Sequence, residues 1–447
     1  MKLNVENFAK IKSASVDLNG YSIFVGDNNS GKTYLMQLIY GVVDALENIQ
    51  DFDSPVFKDY PLRLDASNIK DIQPSVNKWL SDNKQKIVKN TFNENLAIGS
   101  LSLEFDIDDI GDKFFEIRKN QLNEIEKLQK RVRYSKKIDK GTSDLFICIE
   151  NNDFIYVLAK EDEHSISFWL NFLVGVTMEH LLYKQGTKSL FLPASRAGLN
   201  LIYRNLFAEL ARPISYDLGG SKTQPSESKK LGMTTPVFDY LSFMQTYKFD
   251  AGVCERNKDL IDFINKNIIH GSINRIDEDI RYRTQDGIDL PLYLASSMVI
   301  ELTPLVHLFS SVDFFGRIFY DEIETSQHPT TQIQLARLMN RLVNSGVNVI
   351  VSTHSDTMAA AISNLVALSF AKDKEKKCKM LGYEDDDLLQ KDVVHAYQFI
   401  KDENGRSVVT EIQKFNELGM GYDFSLFSEV SNKVFNDAKT IYGEDDA

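Results

Sequence analysis

One segment near the start of the chain has the residue types that bind phosphate. GDNNSGKT, residues 26–33, matches the pattern GxxxxGK[ST], with a short apolar run before it and a helical pattern after it. Glycines let such a loop wrap closely, so that backbone N–H groups and a helix N-terminus face a phosphate. Lys32 would reach the β- and γ-phosphates of ATP, and the Thr33 hydroxyl would bind Mg²⁺. The predicted nucleotide-binding residues of this loop are Gly26, Asn28, Asn29, Ser30, Gly31, Lys32 and Thr33.

A pair of acids at the end of an apolar run forms the second chemical feature. The run RIFYDEIE spans residues 317–324 and is typical of a buried strand. Asp321 suits the role of holding Mg²⁺ through its water shell, and Glu322 is placed to orient and deprotonate an attacking water. A solvated acidic turn is the alternative meaning, but the buried type of the preceding strand favours the catalytic one.

A histidine follows the next apolar run, VNVIVST at residues 347–353. Ligands bind at the carboxyl ends of strands in open α/β sheets, so we expect His354 at the same edge as Asp321 and the phosphate loop. The two residues are 33 positions apart, enough for one helical crossover and the next parallel strand. Although a lone histidine is usually structural, this one is predicted to sense the γ-phosphate.

The elements that must position these groups are readable at both ends of the chain. Alternation of apolar and polar residues from Leu3 to Leu18 predicts antiparallel strands, and the spacing from Leu35 to Val43 predicts a helix that faces a sheet. Elements predicted in the last third are buried parallel strands at Ile318–Tyr320 and Val347–Ser352, a helix at Thr331–Asn344, a hairpin at 393–412 and a final helix near Phe424–Ile441. We therefore predict an α/β P-loop fold with a mixed sheet and helices on both faces.

The middle of the chain lacks this regularity and is interpreted as one long insertion. Strands are predicted at 100–108, 145–150 and 154–159, a Lys- and Glu-rich helix from Phe114 to Val132, a buried helix at Phe168–Val176, and a mobile loop at Gly219–Lys230. The predicted boundaries are 1–45 and 291–447 for the two parts of an ATPase head and 46–290 for the helical and β insertion.

Composition narrows the function classes. The chain of 447 residues carries 64 acidic and 51 basic residues, a formal charge of −13, which argues against nucleic-acid binding over the whole surface. Its three cysteines include no CxxC pair, so neither a disulfide framework nor a zinc site is expected. No signal peptide is visible, and the most apolar window is about half the length that crosses a bilayer. These features predict a cytoplasmic protein without a membrane contact.

Four segments together resemble the ABC-type ATPases of the SMC/RecF kind. They are NFAKIKSASVDL before the loop, GDNNSGKT, DEIETSQHP and VSTHSD, and they cover about the first 45 and last 160 residues. The resemblance is greatest to the branch with the overcoming-lysogenization-defect (OLD) ATPases and stand-alone ATPases of bacterial anti-phage systems. That family usually has DEPE followed by LHP, whereas Ile323 and Gln327 stand here in place of Pro and Leu. Neither change touches a catalytic position.

The resemblance implies hydrolysis between two protomers, each offering a serine-glycine signature to the nucleotide of the other. The candidate is LASSMVIELTPL, residues 294–305, in which Ser296 and Ser297 would cap the γ-phosphate in trans at the positive end of a helix. Met298 stands where the family has glycine, so either turnover is slow or the alignment shifts by one residue. A plain serine N-cap accounts for the same residues nearly as well.

A further segment, LPASRAGL at residues 192–199, resembles one near the nucleotide or the dimer interface of these proteins. Arg196 is either a charge donor to phosphate or a structural ion-pair partner. Lys10 and Lys12 occupy positions where family members contact nucleotide.

These features predict an ATP-dependent switch that forms a homodimer or higher homo-oligomer around ATP. OLD relatives often carry a TOPRIM nuclease, but the only late acid cluster, Glu384–Asp387, has the character of a solvated charge run. The resemblance therefore implies a separate effector, a nuclease or toxin, controlled by ATP state in anti-phage defence. One alternative is a RecF-type DNA clamp, in which the basic channel would be formed by residues 127–140 (KLQKRVRYSKKIDK). Another, favoured by Met298, is a scaffold that binds ATP without turnover.

Overall fold

The described part of the chain is long and nearly continuous at both ends. The computed structural model describes residues 1–55, 57, 59–111, 113–119, 134–140, 143–150, 153–158, 166–183, 188–211, 232–276, 279–313, 315–390, 392–413, 421–422 and 424–442. The predicted loop Gly219–Lys230 lies outside these residues, as does most of the helix predicted between Phe114 and Val132.

A mixed sheet forms the centre of the molecule. Its nine described strands have the order β10-β14-β15-β3-β16-β17-β2-β1-β5. The strands are β1 (Lys2–Phe8), β2 (Ile11–Asp17), β3 (Tyr21–Gly26), β5 (Ser100–Glu104), β10 (Lys188–Leu192), β14 (Phe315–Tyr320), β15 (Asn348–Thr353), β16 (Val394–Lys401) and β17 (Ser407–Glu411). The strands from β10 to β16 in this order are parallel, whereas β1, β2 and β5 pair antiparallel.

Helices cover both faces of this sheet. They are α1 (Lys32–Glu47), α2 (Ile69–Phe92), α3 (Ile107–Ile110), α4 (Ile166–Leu182), α5 (Arg196–Ala211), α6 (Thr235–Thr246), α7 (Ala251–Arg256), α8 (Lys258–Asn267), α9 (Ser297–Leu308), α10 (Pro329–Asn344), α11 (Asp356–Ser369), α12 (Lys374–Leu381) and α13 (Ser425–Tyr442). Short 3₁₀ helices lie at Leu292–Leu294 and Asp385–Asp387. None of the described helices combines the length and apolarity needed to cross a bilayer.

Successive residues of the parallel strands pack into two separate hydrophobic cores, one on each face of the sheet. Phe24 of β3 and Phe319 of β14 pack with α1, α2 and α4, while Ile23 and Ile318 pack with α6 and α8 to α11 on the other face. Side chains alternate across a strand, so a strand buried on both faces is apolar throughout, as these sequences are. The predicted α/β class, with a mixed sheet and helices on both faces, is confirmed.

The middle segment contributes to the central sheet as well as to smaller sheets. Strands β5 and β10 lie at its two edges although both fall within residues 46–290. Two smaller sheets follow the orders β4-β6-β9-β8-β7 and β11-β12-β13. Their strands are β4 (Leu62–Leu64), β6 (Phe115–Lys119), β7 (Tyr134–Lys140), β8 (Ser143–Glu150), β9 (Asp153–Leu158), β11 (Gly271–Ile276), β12 (Asp279–Thr284) and β13 (Asp289–Pro291). The boundaries 46 and 290 stay a prediction.

Two local predictions are wrong. The helix expected from Phe114 onward is a strand over Phe115–Lys119, because this segment pairs with β4 and β9 and that pairing overrides the helical spacing. The solvated charge run predicted at Glu384–Asp387 is wrong for its last acid only, because Glu384, Asp385 and Asp386 are exposed. Asp387 is fully buried and lies 2.6 Å from Arg337 and 2.8 Å from Arg341, so a charge cluster in the sequence is a structural ion pair in the fold.

Candidate nucleotide site

The phosphate loop connects the end of β3 to the start of α1. Three residues with positive φ shape it: Gly26 at 151°, Asn29 at 61° and Gly31 at 98°. At Gly31 a Cβ would lie 2.8 Å from Cδ1 of Ile11 on β2, and the φ of 98° is one that residues with a side chain rarely adopt. Leu35, Leu38 and the later apolar residues of α1 are buried against the sheet, which fixes the helix N-terminus behind the loop.

Lys32 lies inside the loop, with its ammonium close to the loop backbone. Its Nζ donates to the carbonyl oxygens of Gly26 at 2.8 Å and Asp27 at 2.9 Å, and to Ser30 Oγ at 3.3 Å. Burial lowers the pKa of Lys32 to about 8, although the charge of Asp321 raises it. The ammonium is thus desolvated and held where a phosphate would meet the loop.

Asp321 follows β14 directly and is almost fully buried. Thr33 Oγ1 donates to one carboxylate oxygen at 2.8 Å, and Ser352 Oγ donates to the other at 2.5 Å. Burial raises the pKa of Asp321, and these two hydrogen bonds oppose the rise. The threonine predicted to bind Mg²⁺ and the aspartate predicted to help hold it are therefore in direct contact.

Glu322 and His354 lie close to each other beside the Thr33–Asp321 pair, and both side chains are partly exposed to solvent. His354 Nε2 lies 3.8 Å from Glu322 Oε1, and His354 Nδ1 lies 3.4 Å from Lys32 Nζ. Burial, followed by the charge of Lys32, lowers the pKa of His354, which favours a neutral imidazole. Glu322 has a φ of +46°, a left-handed conformation that is unfavourable for a residue with a side chain, and its carboxylate is 41% exposed.

Residues that the sequence interpretation did not identify hold this arrangement in place. Ser352 Oγ accepts from the Glu322 N–H at 2.8 Å while it donates to Asp321, so one buried hydroxyl bridges both acids. Glu324 accepts from the His354 N–H at 2.6 Å. The only signal for Ser352 is its place on β15 two residues before His354, which does not specify a partner.

Arg196 takes the structural one of its two predicted roles. Its guanidinium is fully buried, lies 2.8 Å from Glu301 and donates to the carbonyl oxygen of Asp321 at 2.7 Å. It also lies 4.5 Å above the Tyr320 ring. Arg196 therefore ties α5, α9 and the end of β14 together behind the acid pair.

The predicted serine pair lies apart from these groups. Ser296 caps α9, accepting from Val299 N at 3.4 Å, and both Ser296 and Ser297 are exposed. Among the described residues, no hydrogen bond joins either serine to the phosphate loop. Met298 instead contacts Thr331 in the first turn of α10, with a 3.9 Å separation between sulfur and hydroxyl.

The outlying lysines have local partners. Lys10 Nζ lies 3.4 Å from the carbonyl oxygen of Asn29, and Lys12 forms a 3.2 Å ion pair with Asp402. Lys10 is thus at the phosphate loop, whereas Lys12 contacts the turn between β16 and β17. The predicted loop residue Asn28 is exposed, and Ser30 is buried and accepts through its carbonyl from Ser407 Oγ at 2.6 Å.

These residues fit a Mg²⁺-nucleotide by their donor set. Thr33 and Asp321 place a hydroxyl and a carboxylate, the oxygen ligands that Mg²⁺ prefers, 2.8 Å apart. Backbone N–H groups at the start of α1 and the desolvated Lys32 supply positive charge beside them. The groups that could bind a polyphosphate thus lie together at the carboxyl ends of β3, β14 and β15.

Comparison with known proteins identifies a family. A family model described as an AAA ATPase domain matches residues 1–173 and 227–359, well over half of the chain. No curated protein matches the sequence. The predicted P-loop ATPase fold and activity agree with the family match.

Solved SMC head domains are similar to this chain at low sequence identity. An SMC head bound to the C-terminal winged-helix domain of ScpA is 13% identical, with 92% of this chain and 97% of that chain covered and a TM-score of 0.35. The SMC head domain from Thermotoga maritima is 12% identical, with coverages of 92% and 98% and a TM-score of 0.32. An SMC head with an extended coiled coil from Pyrococcus furiosus is 12% identical, with 98% of both chains covered and a TM-score of 0.33. Likeness at these scores carries no inference about what this chain binds.

Proposed function

The chain belongs to the AAA ATPase domain family and is an ATPase, and from that premise we propose that it is a molecular switch driven by ATP-dependent dimerisation. One observation carries the proposal: Thr33, Asp321, Glu322, His354 and Lys32 meet at the ends of three parallel strands. The site is built for the triphosphate end of a nucleotide.

Binding uses the loop and the buried pair. The backbone N–H groups of Gly26 to Thr33 and the Lys32 ammonium bind the β- and γ-phosphates, with Asn28, Asn29, Ser30 and Gly31 shaping the loop. Thr33 and Asp321 would hold Mg²⁺, which when bound would supply positive charge to the phosphates.

Hydrolysis uses the exposed side of the site. The Glu322 carboxylate accepts the proton of the attacking water, and its exposure keeps it open to that water. His354, favoured as a neutral imidazole, accepts at Nδ1 from Lys32 and carries its proton on Nε2, which donates to a γ-phosphate oxygen and so reports its presence.

The serine pair acts in trans, at the nucleotide of a second copy. Ser296 and Ser297 are exposed, and Tyr293 and Leu294 beside them are 67% and 60% exposed. Large apolar side chains next to exposed serines suit a protein interface. Bound ATP completes that interface, and hydrolysis removes the γ-phosphate that bridges it.

The switch controls a separate effector, a nuclease or toxin, in bacterial anti-phage defence. Support comes from the sequence resemblance to the OLD-like branch and from the ion pairs of Asp387 with two arginines, which give that acid a structural role. A cytoplasmic location accompanies this proposal.

The second candidate is a RecF-like DNA clamp. Its support is the basic sequence at residues 127–140, of which Tyr134–Lys140 forms β7. DNA affinity that falls with salt, and falls further when Lys130, Arg131 and Arg133 are neutralised, supports the clamp. Unchanged affinity supports the effector switch.

Steady-state ATPase assays and sizing of wild type and Glu322→Gln test the switch directly. We expect turnover to fall by about 10²- to 10⁴-fold, the usual contribution of a general base, while ATP holds the variant as a stable dimer. Glu375→Gln, which neutralises an exposed acid on α12, is the matched control and should keep both properties of the wild type. Equal turnover in Glu322→Gln and wild type would remove Glu322 from the mechanism.

A further inference from the structure

Three potential metal ligands meet on the central sheet, away from the nucleotide site. They are Asp17 at the end of β2, His395 near the start of β16 and Glu411 at the end of β17. One ligand atom from each lies within 4.8 Å of the other two. The described residues contain no other group of three or more His, Cys, Asp or Glu side chains with this property.

The strand order explains why residues so distant in sequence meet. Strand β17 lies between β16 and β2, and the antiparallel register pairs Tyr397 with Glu411. His395 is two residues before Tyr397, so its side chain points to the same face and lies diagonally opposite Glu411. Asp17 comes to that face from the parallel neighbour β2.

The distances fit cis ligands of one small divalent cation. Ligand atoms at about 2.0–2.2 Å from a common ion are about 2.8–3.1 Å apart in cis octahedral coordination and about 3.3–3.6 Å apart in tetrahedral coordination. His395 Nδ1 is 2.9 Å from Glu411 Oε1 and 3.6 Å from Asp17 Oδ2. Both distances match these ranges, and all three ligand atoms lie within 4.8 Å of one another.

A second layer of contacts orients the ligands. The buried Tyr397 hydroxyl donates to Asp17 Oδ2 at 3.3 Å and accepts from the Asp17 N–H at 2.9 Å. Partners of this type fix the geometry of metal ligands in proteins. The ammonium of Lys2 lies 3.4 Å from Asp17 Oδ2, on a half-exposed side chain that can swing away.

We propose that Asp17, His395 and Glu411 form a Zn²⁺ site. One imidazole and two carboxylates are ligands that Zn²⁺ accepts, and three protein ligands leave a position for water. The site is separate from the nucleotide: His395 pairs with Ser22 near the start of β3, while the phosphate loop begins four residues later, about 13 Å along the strand. A bound ion would join β2, near one end of the chain, to the hairpin near the other.

Zinc titration of the full chain without nucleotide, in excess Mg²⁺, tests the site. We expect one Zn²⁺ per chain and a melting temperature that rises with Zn²⁺ concentration. His395→Gln and Glu411→Gln should each weaken binding at least about tenfold and lose the zinc-dependent rise. His270→Gln, which removes an exposed histidine elsewhere, is the matched control and should bind as wild type does.

Lys2→Gln separates a metal site from an ordinary ion pair. Because Lys2 competes with a cation for Asp17, its removal should tighten Zn²⁺ binding severalfold. If the three side chains form only an ion pair, no variant will change Zn²⁺ affinity, and His395→Gln will lower the melting temperature equally with and without zinc. That outcome, or equal zinc binding by His395→Gln and His270→Gln, would overturn the proposal, and the Glu322→Gln assay would be unaffected.

Discussion

The edge of the sheet that holds Asp321 and the N-terminus of α9 that holds Ser296 differ in how their polar groups are satisfied. At the strand edge, each oxygen of the buried Asp321 carboxylate accepts a hydrogen bond from a hydroxyl, one on α1 and the other on β15. At α9, Ser296 caps its own helix and Ser297 is exposed. One region is complete within a single chain, and the other presents its groups outward.

This difference separates binding from switching. A site whose ligands are already oriented by their neighbours binds nucleotide with little rearrangement. Exposed serines gain a partner only when a second copy arrives, so the dimer can depend on what the first site holds. The comparison predicts defects of different kinds in the two regions, one confined to a single chain and the other shared between chains.

Asp321→Asn should give the largest effect, because it removes charge from the site that is complete in one chain. We expect turnover to fall about 10²- to 10³-fold, as for other lost electrostatic contacts to a transferring group. Folding should not suffer. An Asp with a raised folded pKa is destabilised once ionised, so stability is lost as pH rises toward that pKa. The variant should therefore melt above wild type at pH 7.5, and the difference should shrink as pH falls to about 3.9, the ordinary pKa of Asp.

The control for this variant is Asp82→Asn, which removes the same charge from an exposed ion pair on α2. It should keep wild-type turnover and nearly wild-type melting. The asparagine keeps contacts with Thr33 and Ser352 because hydroxyls can donate or accept. An Asp321→Asn protein that hydrolyses ATP normally, or melts below wild type at pH 7.5, would contradict the reading of this carboxylate as a charged ligand.

Mixing two inactive proteins tests whether the serine pair works in trans. Lys32→Ala loses the loop cation and the double variant Ser296→Ala, Ser297→Ala loses the pair, so each alone should be nearly inactive. In an equimolar mixture, half of the dimers are mixed and contain one intact site. Turnover should then recover to at most about a quarter of wild type, a consequence of two-fold symmetry.

Ser297→Ala alone separates this role from helix capping. Loss of the Ser296 cap costs about 1 kcal/mol of stability, whereas Ser297 caps nothing in the structure. The single variant should bind ATP and melt as wild type does, yet hydrolyse more slowly. A mixture no more active than the average of its two components would show that each chain hydrolyses ATP alone.

The contrast between the two regions also explains what sequence could predict. Glycines, Lys32 and the acid pair occupy positions set by local pattern and by the order of strands, so their meeting follows from motif spacing. The hairpin at the C-terminal end and the helices after β3 and β14 follow from local periodicity in the same way. The hairpin and these helices are confirmed in the structure, and the roles of the site residues stay predictions.

Predictions failed where a distant partner decides the outcome. Phe115–Lys119 is a strand because β4 and β9 flank it, and Asp387 is buried because two arginines of α10 meet it. The strand predicted within 100–108 is present as β5, but its pattern does not specify that it pairs with β1. Pairing and ion-pair partners of this kind are far away in sequence and leave no local signature.

Ser352 should give the smallest effect, and its hydroxyl links the Asp321 carboxylate to the Glu322 backbone N–H. Ser352→Ala removes a hydrogen bond to a buried charge and the support of the strained Glu322 backbone. We expect turnover to fall about tenfold, equivalent to about 1.4 kcal/mol, and the Mg²⁺ concentration for half-maximal activity to rise.

Ser352→Thr retains the hydroxyl and should recover most activity. Ser22→Ala removes a similarly buried hydroxyl from the neighbouring strand, where it donates to the Asp17 carbonyl oxygen at 2.9 Å, and should leave Mg²⁺ dependence unchanged. Equal Mg²⁺ dependence in Ser352→Ala and Ser22→Ala would show that Asp321 keeps its orientation without the bridge.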